Sequence, residues 1–264
     1  NRKILFPIIV IYKIIKKAFS IFQKNLYQLM DIPLQYIQYL TNMFYWLLEL
    51  NKDHSNFGTI KFVRAAFHDL PINSDEIAFC IADVSGKGVP AALLMSNFQA
   101  SLRTLIKRTA SLSELVIELN HNILSNANRE KFITAFIGKY NLKTRNLQYI
   151  NAGHNPPLLL SDSQFTPLTD GCTILGMFEN LPSITEKNIT ISKNSILTCF
   201  TDGIVEQPNS KNEEFNIENL KGSILRSKEC SPQELIENVM TELETYKEDI
   251  EYKDDIALLC LRIR

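Results

Sequence analysis

Hydrophobic spacing divides the chain into two parts near residue 57. From residue 26 to residue 50, apolar residues recur at helical spacing and are interrupted at Pro33, which predicts two helices. The polar segment that follows, residues 51–58, ends this pattern. We therefore predict a helical linker or membrane-proximal segment over residues 1–57 and a separate domain over residues 58–264.

The second part shows short β-like runs and three helical stretches. The predicted helices cover residues 89–108, 113–126 and 231–248. Neighbouring β-runs are joined by short turns, which indicates antiparallel pairing and an α+β fold class. The predicted strands cover residues 59–65, 76–83, 132–141, 146–151, 157–160, 195–201 and 255–263.

The start of the chain is apolar and then basic. Nine apolar residues, 4–12, precede Lys13, Lys16 and Lys17, and a bilayer span needs about 20 residues. Two interpretations stay open: a membrane tether formed by a truncated span with its positive flank, or a basic amphipathic helix. The chain begins with Asn rather than Met, so we interpret it as a fragment or a processed product.

Composition narrows the class of protein. The 264 residues are 45% hydrophobic, as in globular domains, and 28 Lys and Arg balance 29 Asp and Glu, so no overall basic field favours nucleic acid. The five cysteines are widely spaced and mostly lie in apolar runs, which is typical of reduced thiols in a cytoplasmic protein. None begins the Cys-x5-Arg loop of a thiol-based phosphatase.

Aspartates at predicted strand ends are the main candidates for chemistry. Asp83 follows one apolar strand, Asp202 follows another, and Asp254 and Asp255 open the last strand. Carboxylate oxygens without nearby His or Cys suit Mg²⁺ or Mn²⁺. Taken singly, each aspartate is better explained as a turn residue. The run from Ser85 to Gly88 lacks the spacing of a nucleotide-binding loop.

Four sequence blocks in order give a more specific signal. They read Ile-Ala-Asp-Val-Ser-Gly-Lys-Gly-Val-Pro-Ala-Ala at 81–92, Asn-Ala-Gly-His-Asn-Pro-Pro at 151–157, Thr-Asp-Gly-Ile-Val-Glu at 201–206 and Asp-Asp-Ile at 254–256. Residues 60–264 thereby resemble the SpoIIE-type bacterial branch of the metal-dependent PPM (protein phosphatase 2C-like) serine/threonine phosphatases. His154, in the second block, is interpreted as part of a turn because Gly and Pro flank it.

The resemblance implies a fold and a site. The family packs two antiparallel sheets face to face, flanked by helices, with two Mn²⁺ or Mg²⁺ ions at one end. By motif position, Asp83 would bridge both metals with the Val84 carbonyl on the second, while Asp202 and Asp254 would complete the first. Three further residues, Asp69, Asp255 and Lys87, are expected beside the metals without binding them directly.

One departure from the family concerns the second metal. The family carries a Gly-Gly-Asp-x-x-Asp block before the Asp83 strand, and here Ala66 stands where its first Asp is expected. Either the ligand is replaced or the Gly-Gly-Asp part is deleted, and both readings stay open. Losing a carboxylate weakens a Mg²⁺ or Mn²⁺ site. The predicted activity is accordingly reduced, and a pseudophosphatase that binds a partner is the alternative function.

The resemblance also implies substrates and partners. We expect hydrolysis of a phosphorylated signalling protein, such as an anti-sigma factor antagonist, by a metal-activated water. An upstream sensor region would act through the N-terminal linker, and no nucleic acid is expected as a partner. The predicted location is the cytoplasm, with membrane association through the N-terminal segment as an open option.

Overall fold

The computed structural model describes residues 65–86, 89–127 and 131–263. The predicted linker helices, the domain boundary at residue 57 and the apolar basic run at the start of the chain lie outside these residues. No helix in the described part is long and apolar enough to cross a membrane.

The first sheet, sheet A, contains six strands and carries one side of the candidate site. Strands β1 to β4 follow one another in space and pair antiparallel. At the far edge, β4 pairs antiparallel with β8 and, through its last residues, parallel with β7. The strands are β1 (Ala65–Pro71), β2 (Glu76–Val84), β3 (Ile133–Asn141), β4 (Asn146–Ala152), β7 (Gly171–Cys172) and β8 (Lys187–Thr190).

The second sheet, sheet B, has four antiparallel strands in the order β10-β9-β5-β6. In the part of the chain that the structure describes, five helices accompany the two sheets. The strands are β5 (Leu158–Ser161), β6 (Gln164–Pro167), β9 (Ile196–Phe200) and β10 (Leu258–Arg262). The helices are α1 (Val89–Leu105), α2 (Leu112–Ala127), α3 (Asp202–Val205), α4 (Asn216–Arg226) and α5 (Pro232–Lys247).

Alternation along the strands builds a four-layer sandwich. In β2, Cys80 and Ala82 pack with buried residues of α1 and α2, whereas Phe79 and Ile81 point the other way. Phe79 and Ile81 share a buried cluster with sheet B residues such as Leu197, which places a hydrophobic layer between the sheets. The opposite face of sheet B packs on α4 and α5. The predicted fold class, two packed antiparallel sheets flanked by helices, is confirmed.

Helix α5 shows why the local sequence predicts its own boundaries. Ser231 accepts a hydrogen bond from the Glu234 N–H, Glu234 accepts one from the Ser231 N–H, and Pro232 occupies the first turn. Leu235 and Leu243 are fully buried at helical spacing. The prediction of a helix from residue 231 is confirmed.

Other predictions were incomplete. The run predicted at 59–65 meets the described residues only at Ala65, and β1 continues to Pro71 although it contains the polar pair His68 and Asp69. Strand β10 begins at Leu258 rather than at residue 255, because hydrogen bonds to the Thr201 side chain hold the preceding residues in a turn. Strands β6 and β8 were not predicted, since they are mostly exposed and carry little apolar pattern.

Candidate functional site

A pocket of about 360 Å³ opens at one end of the sandwich, where the two sheets meet. Sheet A contributes the end of β2, the start of β3 and the residues directly after β4, and sheet B contributes Asp202, the second residue after β9. Its lining residues are Asp83, Val84, Ser85, Gly86, Phe132, Thr134, Gly153, His154, Asn155 and Asp202.

Asp83 is held by two neighbouring strands. It lies one residue before the end of β2 and pairs with Thr134 of β3 on one side and with Ala65 of β1 on the other. Apolar residues before it anchor β2 in the core, so the half-buried carboxyl group sits on a rigid element at the sheet end. The side chain of Val84 is buried.

The loop after β2 is clamped to the start of β3. The Ser85 N–H donates to the Phe132 carbonyl at 2.9 Å, and the Phe132 N–H donates to Ser85 Oγ at 2.8 Å. Gly86 then adopts a φ of +87°, which favours glycine. This clamp fixes the pocket wall next to Asp83.

Asp202 enters the pocket from sheet B. It follows β9 and opens the short helix α3. The buried hydroxyl of Thr201 donates to the Asp255 carbonyl at 2.9 Å and accepts from the Ala257 N–H at 2.9 Å. A Cβ at Gly203 would overlap the Asp255 carbonyl, so only glycine permits this close approach. The turn containing Asp202 is thereby packed against residues 254–257.

The structure brings Asp83 and Asp202 to one pocket, but Asp254 does not line it. Asp254 Oδ1 accepts a hydrogen bond from the Asp255 N–H at 2.7 Å. Among residues 72–86, 90–126 and 131–263, whose side chains are described, no three His, Cys, Asp or Glu side chains form a metal-binding group. The predicted ligand role of Asp254 therefore stays a prediction, as does the supporting role of Asp255.

Several predicted site residues fall outside what the structure describes. Lys87 lies in the gap before α1, and only the backbone of β1 is described. In that backbone Asp69 pairs with Phe79, and Ala66 pairs with Ala82, one position from Asp83. The backbone at Ala66 therefore runs beside the end of β2 that carries Asp83. The effect of Ala66 on a second metal stays a prediction.

His154 has a more specific environment than the predicted turn. It is buried, and its Nδ1 lies 3.0 Å from the Thr134 hydroxyl, with which it shares a hydrogen bond. The His154 N–H donates to Asn151 Oδ1 at 2.8 Å. Burial lowers the pKa of the imidazole to about 4, although the Phe200 carbonyl acts in the opposite direction. At neutral pH the ring is therefore uncharged.

Sequence reasoning missed Thr134 and undervalued His154. Thr134 stands among apolar residues at the start of β3, which is a weak signal by itself. Its position opposite Asp83 becomes visible only when the register between β2 and β3 is known. The two residues join segments 20 positions apart, a link that flanking Gly and Pro could not indicate.

The donor set fits a hard divalent cation. Asp83 and Asp202 supply carboxylate oxygens to one pocket, and Mg²⁺ commonly binds through one or two carboxylates while keeping several waters. Among the described residues that line the pocket there is no soft ligand, neither cysteine nor methionine. Buried Cys80, Cys199 and Cys260 lie elsewhere, and burial raises the pKa of each thiol, which opposes thiolate chemistry.

The sheet sandwich with an aspartate-lined pocket at its end has the fold of the PPM (protein phosphatase 2C-like) class. The family model described as Stage II sporulation protein E (SpoIIE) matches residues 73–264, so the chain belongs to the SpoIIE family, and the predicted resemblance is confirmed. The match begins after Ala66, so it does not cover that departure.

Relatives and solved structures agree with this placement. The phosphoserine phosphatase RsbU of Bacillus subtilis (strain 168) is 29% identical over 192 residues, covering 72% of this chain and 56% of RsbU. Across three curated relatives that it matches, the chain spans between 37% and 56% of their length. The SiaA-PP2C domain of Pseudomonas aeruginosa superposes with a TM-score of 0.67 at 15% identity, covering 76% of this chain and 80% of that domain.

A further structural neighbour contains metal. The catalytic domain of the serine threonine protein phosphatase PstP, in complex with two manganese ions, superposes with a TM-score of 0.51 at 13% identity. That superposition covers 77% of this chain and 93% of the PstP domain. At such identities the two superpositions show the shared fold alone.

Proposed function

We propose that this chain is a metal-dependent phosphatase that hydrolyses phosphoserine or phosphothreonine on a signalling protein. The observation that most directly supports this proposal is that Asp83 of sheet A and Asp202 of sheet B line the same pocket. The phosphoserine phosphatase RsbU, as a relative, supports the substrate class. An anti-sigma factor antagonist is the proposed substrate, and an upstream sensor is the proposed regulator.

Asp83 and Asp202 would hold Mn²⁺ or Mg²⁺, with the Val84 carbonyl and Asp254 as further proposed ligands. A bound divalent cation lowers the pKa of a water and neutralises phosphate charge. The presence of two manganese ions in PstP supports a divalent ion here. The Asp83 and Asp202 carboxylates need only stay ionised and in place, a role that their rigid strand-end positions favour.

The reaction uses no nucleophile from the protein. A water oxygen attacks phosphorus, the bond from phosphorus to the serine oxygen breaks, and the serine oxygen takes up a proton to leave as a hydroxyl. Ser85, the hydroxyl closest in sequence to Asp83, accepts a hydrogen bond from the Phe132 N–H and holds the loop.

Phosphate release tests this proposal. With Mn²⁺ and a phosphoserine peptide, we expect turnover by the wild type and a loss of at least about 100-fold in Asp83→Asn, because charge at the reacting centre is lost. Asp162→Asn is the matched control, since Asp162 is exposed and its φ of +47° is tolerated by Asn. Equal rates in Asp83→Asn and the wild type would refute the proposal.

Ala66 favours a second candidate, a pseudophosphatase that binds a phosphoprotein without turnover. The carboxylate that the family carries at this position is absent, and its loss would leave a second metal weakly held. Stable binding of the phosphopeptide by the Mn²⁺-treated wild type, with no phosphate released, would establish this candidate in place of the enzyme.

A further inference from the structure

A lysine that the sequence did not single out stands at the edge of the pocket. Lys131 lies two residues before β3, and its Nζ donates to the Ser85 carbonyl at 3.4 Å. The ammonium also lies so close to Gly86 that a Cβ at this glycine would overlap Nζ. Both Ser85 and Gly86 line the pocket, so the ammonium of Lys131 lies against two lining residues although Lys131 is not itself one of them.

The position of Lys131 is fixed by its surroundings. The two hydrogen bonds between Ser85 and Phe132 tie the neighbouring residue of Lys131 to the loop after β2. The side chain is half-buried, which limits its freedom, and the bare α-carbon of Gly86 provides the space for it. A cation is thus held against the loop that follows Asp83, whereas a typical surface lysine is free to move.

The charges of the pocket show what this cation can do. The described residues that line the pocket include the two carboxylates of Asp83 and Asp202, which are proposed to hold the metal, and no Lys or Arg. His154 is uncharged at neutral pH because burial lowers its pKa to about 4. Within the side chains that the structure describes, no carboxylate forms an ion pair with Lys131.

We propose that Lys131 binds the outer phosphate oxygens of the substrate and selects phosphomonoester dianions. The inference rests on the proposed phosphatase function and names a residue that recognises its substrate. An ammonium has three N–H donors, and one of them is directed at the Ser85 carbonyl. The other two are available to phosphate oxygens, with which charged hydrogen bonds are strong.

Steady-state kinetics with a phosphoserine peptide tests the role. In Lys131→Met we expect KM to rise about tenfold, the effect of losing one charged hydrogen bond, while kcat changes less than about twofold. Lys131→Arg retains the charge and restores most of the affinity. Lys139→Met is the matched control, because Lys139 is also half-buried on β3 but lies away from the pocket. An unchanged KM in Lys131→Met overturns the proposal.

Binding of inorganic phosphate separates this inference from the proposed function. In the presence of Mn²⁺, phosphate should bind the wild type about tenfold more tightly than Lys131→Met. A wild type that binds phosphate in this way without releasing it from any phosphoprotein refutes the phosphatase function and leaves the Lys131 role standing. If the wild type hydrolyses the phosphoprotein but binds inorganic phosphate no more tightly than Lys131→Met does, the Lys131 role alone is refuted.

Discussion

At the scale of single residues, His154 shows how burial sets the charge of the pocket. Its ring is buried, shares a hydrogen bond with Thr134 and has a pKa lowered to about 4 by the loss of solvent. Two carboxylates and one neutral imidazole therefore line the cavity at neutral pH. This arrangement is compatible with cation binding. The ammonium of Lys131, which lies against the lining residues Ser85 and Gly86, adds a positive charge beside the pocket.

The lowered pKa of His154 predicts a pH dependence of stability. In the unfolded chain His154 titrates near the usual value of about 6.5, so between about pH 6.5 and pH 4 the unfolded state binds a proton that the folded state does not. The free energy of unfolding should therefore fall with decreasing pH over this window, by about 3 kcal/mol from this group. Urea denaturation at several pH values measures the slope.

Two variants assign that slope to His154. In His154→Gln the pH dependence between pH 4 and about 6.5 should be shallower than in the wild type, because the titrating group is gone. His121→Gln is the control, since His121 is exposed on α2, and its slope should match the wild type. A His154→Gln slope equal to the wild-type slope would show that the folded imidazole keeps its ordinary pKa.

At the scale of elements, the turn after β9 and the turn before β10 act as one unit. Thr201 joins them through hydrogen bonds to the Asp255 carbonyl and the Ala257 N–H, and Gly203 lets the two backbones touch. This packing explains why β10 starts only at Leu258. It also keeps the backbone of Asp254 and Asp255 against the first turn of α3, next to Asp202.

Thr201→Val tests the hydroxyl in this unit without changing its shape. Loss of the hydroxyl leaves the buried Ala257 N–H unpaired, so we expect the free energy of unfolding to drop by about 1–3 kcal/mol. Thr201→Ser keeps both hydrogen bonds and should stay closer to the wild type. The measurement is the urea concentration at the midpoint of unfolding for the wild type and both variants. Equal midpoints for Thr201→Val and the wild type would contradict this role of the hydroxyl.

At the scale of the whole molecule, both sheets are needed for the pocket. Asp83 depends on the pairing of β2 with β1 and β3, and Asp202 depends on β9, which packs on sheet A through the layer containing Leu197. The candidate site is therefore a product of the sandwich as a unit, and disruption of the layer between the sheets should separate its two carboxylates.

The parts of this architecture that sequence could predict are those with strong local signals. Short apolar runs indicated β2 and β9, and the aspartates that follow these runs indicated the candidate site. Contacts between distant segments carry no such signal, so the pairing of Thr134 with His154 and the approach of Lys131 to Gly86 were not foreseen. Exposed strands such as β8 were not predicted, because they are defined by pairing with a neighbouring strand and not by an apolar pattern.

Calorimetric titration with Mn²⁺ tests most directly whether the pocket shared by Asp83 and Asp202 is a metal site. We predict saturable binding by the wild type and a loss of affinity of at least about tenfold in Asp83→Asn and in Asp202→Asn, because each removes a charged oxygen ligand. Asp162→Asn, far along the chain in an exposed turn, should bind like the wild type. Unchanged Mn²⁺ affinity in both Asp83→Asn and Asp202→Asn would contradict the metal site.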